Sequence, residues 1–310
     1  KPDKNGAEYK AVAQAAKATN LPVLELLQQA GALQGDTVGA YHFHWQRFLF
    51  EHFPKGTGFA DLPIPPLDDA DLPLADGVQA YSIDDSSTTE IDDALSVQNL
   101  DRALVTVGIH IAAPALALQP GTAWDGVARD RMSTVYMPGN KITMLPPELV
   151  QHYTLGAGQA RAAVSLYLQI DKESLEILDT QTKIERVPVV ANLRLETLEP
   201  IATHDWLCST DTAQKAQNLA SIGNFEPSKL PEQLSFLYRL AQHWKAQREV
   251  VRGKPENFSR PDFNFKLRKN GETVKGEVQG DEEAVISIRK RGEPIDLIVA
   301  ECAIVANSTW

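Results

Sequence analysis

Between residues 78 and 171 the chain returns to one texture. "VQAYSID", "ALSVQNL", "ALVTVGIHIAAP" and "AAVSLYLQID" are apolar, β-branched runs bounded by polar turn residues. Runs of this length and composition form strands, and so many in short order build an antiparallel sheet. Set into that sheet is "YSIDDSSTTEIDD", residues 81–93, where Asp84, Asp85, Glu90, Asp92 and Asp93 crowd into ten positions. A charge run usually ends as a solvated loop. Here Ile83, Ile91, Ala94 and Leu95 interleave the acids and pin them against a core. Carboxylates held there need compensation.

The flanking texture differs. "EYKAVAQAAKA", "LPVLELLQQAG" and "YHFHWQRFLFEHF" carry apolar residues at spacings of three and four, which predicts three short helices within residues 1–60. Such a small all-α trihelical domain is either a helix-turn-helix or a packing bundle. "GFADLPIPPLDDADLPLADG" has no periodicity and reads as an extended Pro/Asp-rich linker, with the boundary at 61–77. Residues 78–310 then form an α+β domain, its antiparallel sheet wrapped by helices at 122–132, 230–252 and 294–310, with further strands in 262–289. The last helical pattern stops at Trp310 without a capping residue, so the chain is expected to continue beyond it.

Composition narrows the function classes. With two cysteines far apart, Cys208 and Cys302, neither a disulfide framework nor a zinc site is expected, and a reducing cytoplasm is the default. No apolar run reaches the roughly 18 residues that span a bilayer. The net charge of −11 argues against nucleic-acid binding by overall charge. It leaves open a focused basic channel, since fields act over about 10 Å at 0.1 M salt.

For the acidic cluster an EF-hand loop is excluded: counted from Asp84, position six is Thr89 rather than Gly and position twelve is Leu95 rather than Glu. A divalent-metal site for phosphodiester hydrolysis and a solvated loop both stay open on spacing alone. In the former, two Mg²⁺ ions roughly 4 Å apart are held by hard carboxylate oxygens. Asp92 and Asp93 are adjacent, so in an extended segment they face different ways and take different roles.

"YSIDDSSTTEIDDAL" resembles the catalytic motif of the ribonuclease II / RNB family of 3′→5′ exoribonucleases. The likeness continues in order through "VGIHIAAP", "QPGTAWDGVARDRMSTVYMPGNKITMLPPEL", "SRPDFNF" and "IVAECAIVAN", and covers residues 78–310. It implies an RNB-type catalytic domain, an antiparallel sheet or barrel surrounded by helices, preceded by the helical unit where the family usually has cold-shock domains. By position, Asp84, Glu90, Asp92 and Asp93 match the four metal-binding acids, and among them Asp92 matches the acid most closely tied to catalysis. Glu90 departs from the family's aspartate. Tyr136 matches the aromatic that stacks on a base of the RNA, and Phe258 lies near its partner aromatic. Leu195 and Ala300 stand where the family tends to have a tyrosine and a glutamate that contact ribose, with Glu301 the nearest acid. The family's catalytic arginine and C-terminal OB-fold fall beyond Trp310.

Arg129, Arg131, Arg260, Lys266, Arg268, Lys269, Arg289, Lys290 and Arg291 are candidates to line an RNA channel, Arg260 among the substrate contacts. His110, within a continuous apolar strand, reads as a hydrogen-bonded core histidine; His42, His44 and His52 lack a complete metal set. The expected function is a Mg²⁺-dependent exoribonuclease, using two ions during catalysis with Mn²⁺ able to substitute, that degrades single-stranded RNA to nucleoside 5′-monophosphates. No obligatory protein partner or membrane is implied. The rival is a catalytically weakened RNB-fold protein that only binds nucleic acid.

Overall fold

The computed structural model describes residues 4–32, 48–49, 52–53, 55–59, 62–86, 88–137, 140–220, 229–255, 262–274, 282–289 and 294–310. Contacts divide the chain into two compact units. The larger comprises Pro63–Asp125, Leu145–Asp262 and Arg289–Trp310; the smaller comprises Lys1–Leu62, Gly126–Met144 and Phe263–Ile288. No helix among the described residues is long and apolar enough to cross a membrane.

In chain order the strands are β1 (Ala80–Asp84), β2 (Asp93–Gln98), β3 (Leu104–Ala112), β4 (Val135–Met137), β5 (Asn140–Ile142), β6 (Gln159–Asp171), β7 (Ile177–Arg194), β8 (Asp262–Lys269), β9 (Glu272–Thr273) and β10 (Glu283–Arg289). In the larger unit β1-β2-β3-β6-β7 close into a barrel. Neighbours pair antiparallel except at the seam, where β1 and β7 run parallel with Ala80 opposite Val189 and Asp84 opposite Arg194. An odd number of strands makes that seam unavoidable: alternating directions around five strands leave the first and last pointing the same way.

Strand alternation sorts the residues into two clusters. Tyr81, Ile83, Leu95, Val97, Val107, Ile109, Leu166 and Leu168 pack with Leu234, Leu237 and Ala241 of the helix Leu230–Arg252 and with Ile298 and Cys302 of the helix Pro294–Thr309. The other set, Ala80, Ala94, Ala163, Tyr167, Val187 and Val189, fills the inside of the barrel with mostly small side chains. Buried Ser82, Ser96, His110, Ser165 and Glu185 join it. His110 Nε2 lies 2.9 Å from Ser96 Oγ and its Nδ1 2.8 Å from Ser165 Oγ. Its ring meets the edge of Tyr167, whose hydroxyl donates to Glu185 Oε1 at 2.5 Å. The imidazole is thus a core group with both nitrogens used, and burial pushes its pKa down to about 3.

Gly108 is required by that network. A Cβ there would stand 2.4 Å from Ser96 Oγ and 2.7 Å from His110 Nε2. Gly108→Ala is therefore expected to destabilise the fold by about 1–3 kcal/mol, the usual cost of overpacking a filled interior. Urea unfolding at neutral pH measures it, and an unchanged midpoint would show that the network yields freely.

The Pro-rich stretch is extended, and its second half is bonded along β7. Arg186 N donates to Pro73 O and Ala75 N to Arg186 O, both at 2.8 Å, and Gln98 Nε2 donates to Gly77 O at 3.0 Å. The long helix Leu230–Arg252 carries Pro231 in its first turn and closes on Gly253 (φ 72°), whose N–H bonds Glu249 O at 2.9 Å.

In the smaller unit two N-terminal helices are described, Ala7–Thr19 and Val23–Gln29. Most of the third expected helix, 41–53, lies outside the described residues. β4 pairs with β5, and a second sheet has the order β10-β8-β9. Arg131, one of the candidate channel cations, donates to Thr143 O, Thr57 O and Gly58 O at 2.7, 2.9 and 2.6 Å and lies over the Phe59 ring at 4.1 Å. That places its guanidinium in the packing of this unit.

Candidate active site

β1 ends at Asp84 and β2 begins at Asp93, so the intervening loop crosses one end of the barrel. Three clamps shape it. Arg194, the last residue of β7, donates Nη1 to Asp85 O at 3.0 Å and Thr88 O at 3.3 Å. Glu196 accepts from Ser86 N at 2.9 Å and from Ser86 Oγ at 2.7 Å. On the return side Ile91 N donates to Thr154 Oγ1 at 2.7 Å, and Leu155 N donates to Ile91 O at 2.9 Å. Asn192 ties this together, donating to Ser82 Oγ and Leu155 O at 2.9 Å each while accepting from Ala157 N at 2.8 Å.

With Ile91 buried as the anchor, the two acids after it part company. Asp92 is exposed, its carbonyl accepting Ala112 N at 2.8 Å, while Asp93 is half-buried opposite Ile111 in β3. Burial pushes the Asp93 carboxyl up to about 6, and the charges of Asp84 and Asp92 push the same way. Burial also raises Asp84, with Asp85 adding to the rise and Ser82 and Arg194 opposing it. Asp93 therefore feels the charges of both Asp84 and Asp92 at a single mouth of the barrel. Glu90 is half-buried in the same loop, but it is not among the charges that raise Asp84 or Asp93.

The donor set fits a hard divalent cation. Its members are carboxylates, the ligands Mg²⁺ and Mn²⁺ favour. Asp84 Oδ2 is buried with no hydrogen-bond partner, and Asp93 resists ionisation because it is buried and because the neighbouring charges are negative. A cation answers both conditions. Among the described residues no three acids, histidines or cysteines already stand close enough to enclose an ion.

The other sequence-predicted residues are placed as follows. Tyr136 lies on β4 in the smaller unit, opposite Lys141 and 67% exposed. Phe258 and Arg260 fall outside the described residues. Glu301 is 1% exposed and forms an ion pair with Arg248 between the helices Pro294–Thr309 and Leu230–Arg252. Leu195 is packed into the larger hydrophobic cluster, and Ala300 is exposed. Cys302, next to Glu301, is buried; burial, and then the charges of Asp93 and Glu301, push its thiol pKa up. Arg194, Glu196, Thr154 and Asn192 were not singled out by sequence. Their partners lie 35 to 110 residues away, so no local spacing marks them.

Residues 74–310 match the family model of the RNB domain. The chain belongs to the RNB domain family. The chain is 29% identical over 215 residues to "Exoribonuclease 2" of Vibrio vulnificus (strain YJ016), a match that covers 67% of this chain and 29% of that protein. It is 40% identical over 99 residues to "DIS3-like exonuclease 2" and to "Inactive exonuclease DIS3L2" of Arabidopsis thaliana, 32% of this chain and 9% of each of those. In fold it is similar to Mycoplasma genitalium RNase R in complex with ribose methylated single-stranded RNA, with a TM-score of 0.59 and 17% identity over 77% of this chain and 33% of that one. An active-site mutant of the Dss1 exoribonuclease from Candida glabrata gives the same TM-score at 19% identity, over 89% of this chain and 33% of that one. The chain thus spans a third or less of each of these relatives.

Proposed function

We propose that the protein is a Mg²⁺-dependent exoribonuclease that hydrolyses single-stranded RNA from its 3′ end to nucleoside 5′-monophosphates, with Mn²⁺ able to replace Mg²⁺. The observation that carries this is the convergence of the Asp84 and Asp92 charges on Asp93 at one mouth of an RNB barrel. Asp84 and Asp93 would hold the ions, with Glu90 reaching them from the loop. When bound there, Mg²⁺ supplies an activated water and offsets the charge of the scissile phosphate. Asp92, the exposed member, would orient an attacking water towards the phosphorus. Arg194 fixes the loop through Asp85 O and Thr88 O, so the carboxylates keep their places when a polyanion arrives.

The Asp93 carboxyl sets a pH dependence for loading the site. Only its ionised form is a ligand, and in the free protein it titrates at about 6. Metal affinity is therefore expected to be flat above pH 6 and to fall by up to about tenfold per unit below it. Calorimetric titration with Mn²⁺ from pH 5 to 8 checks this, and the slope should become shallower in Asp93→Asn, where the raised Asp84 carboxyl alone remains. A slope as steep in that variant as in the parent would remove Asp93 from the ligand set.

Tyr136 is proposed to stack on a base, a contact that tolerates every base and is worth about 1–3 kcal/mol. Tyr136→Ala should therefore lengthen the shortest RNA fragment left uncut. An end-product ladder unchanged on a sequencing gel would rule that role out. Phe258 and Arg260 are proposed RNA contacts on their sequence positions. Glu301 joins them only by giving up Arg248.

The rival, an RNB-fold protein that binds RNA without cutting it, is favoured by Glu90 standing in for the family's aspartate. A 5′-labelled single strand and its blunt duplex decide between them. Mg²⁺-dependent shortening of the single strand from its 3′ side, with the duplex resistant, supports the exoribonuclease. Retention of both strands intact while they are bound supports the rival.

A further inference from the structure

The helix Leu230–Arg252 meets the short helices His204–Cys208 and Thr212–Ala220 around a cavity of about 480 Å³. All of its lining residues belong to the larger unit, at the end of the barrel away from the carboxylates. Leu100, just past the end of β2, lines the cavity, whereas Asp93 opens β2. The strand between them extends roughly 20 Å.

Lys172, Lys215 and Arg239 line the cavity, with Glu232 the one acid among its lining residues. Lys215 is 3% exposed. Its ammonium donates to Leu207 O at 3.1 Å and Ser235 Oγ at 2.8 Å and lies 5.4 Å from the Trp206 ring centroid. All three partners are neutral. Burial lowers its pKa, against the opposing pull of Cys208 and Glu232. Neither those two nor any other described residue forms an ion pair with it. A buried cation without a counter-ion is costly, and among the described residues two acceptors serve its three N–H bonds. Arg239 donates to Lys172 O and Lys172 Nζ to Leu100 O, each at 2.7 Å, which steadies the other two cationic side chains. Leu207 and Phe236 supply an apolar wall.

We propose that this cavity binds a small phosphate monoester, its phosphate held by Lys215, Lys172 and Arg239 and its organic body against Leu207 and Phe236. Three cations over one acid suit a dianion better than a monocarboxylate. The volume lies within the range of about 300–1,000 Å³ typical of organic-ligand sites. Neither the carboxylates nor the loop at the barrel mouth takes part, so the proposal stands apart from the nuclease assignment.

Cys208 lines the cavity and is exposed, while Cys302, the chain's other cysteine, is buried. The rate at which Ellman's reagent modifies the native protein therefore reports on the cavity. Adenosine 5′-monophosphate and ribose 5-phosphate should each slow Cys208 modification saturably, at least fivefold, and adenosine should not. The protecting concentration should rise at least tenfold in Lys215→Met and in Arg239→Gln. Arg239 is exposed, so its variant decides the matter if Lys215→Met fails to fold. The proposal is overturned if neither ester protects, if adenosine protects equally, or if folded Arg239→Gln is protected like the parent. Protection by inorganic phosphate with no gain from either ester would overturn the assignment to a monoester.

Discussion

Asp92→Asn is expected to lower hydrolysis of single-stranded RNA on the order of 10³-fold, the scale of losing a group that acts on the reacting water, while RNA binding stays level or tightens. The amide keeps the shape of the side chain and removes its charge. Asp92 is exposed, and its backbone carbonyl holds Ala112 N whatever the side chain is, so the loop and β2 keep their register. The substitution also removes one of the charges that raise Asp93, which leaves Asp93 the better ligand and the mouth less repulsive to phosphate. Single-turnover kinetics with filter binding in chelator separates the two effects. Near-normal turnover would remove Asp92 from the chemistry.

The second large effect is on acid stability. The unfolded His110 imidazole titrates near 6.5 and the folded one at about 3, so below pH 6.5 the unfolded chain takes up the proton first. The stability this group contributes is complete above pH 6.5 and is lost as pH falls towards 3. Asp93 acts in the opposite sense: its folded pKa of about 6 exceeds the ordinary 3.8, so the native state gains from protonation in the same window, and Asp84 shifts likewise. The parent should therefore show a shallow dependence. In Asp84→Asn/Asp93→Asn, which leaves His110 in place, unfolding free energy should drop by about 2–3 kcal/mol between pH 6.5 and 4.5. Urea titrations across that range measure it. A double variant as flat as the parent would show that His110 is not held neutral in the barrel.

Much of the barrel was legible because its strands carry their own signal. β1, β2, β3 and β6 are apolar runs between polar turns, and His110 in such a run read as a hydrogen-bonded core group rather than a ligand, which its two serine partners bear out. β7 was not legible. Its first eight residues, Ile177–Ile184, are exposed and mostly polar, and they are extended because β6 pairs with them rather than because of their own composition. With β7 unread, the parallel seam and the closing Arg194 stayed hidden too. At the site the spacing of the acids could suggest that Asp92 and Asp93 face apart, since alternation is local. It could not show that Glu196 and Thr154 hold the loop, or that Arg248, 53 residues away, pairs with Glu301. Those are products of the fold, and neither composition nor period records them.

The most direct test of the central claim is a single-stranded RNA labelled on its 3′-terminal nucleotide, incubated with the protein in Mg²⁺ and, in parallel, with chelator. The account predicts that the label leaves at once as a nucleoside 5′-monophosphate in Mg²⁺ and that it stays on the full-length strand in chelator. Release that survives the chelator, or first products that are internal fragments, would contradict a metal-dependent exonuclease acting from the 3′ end.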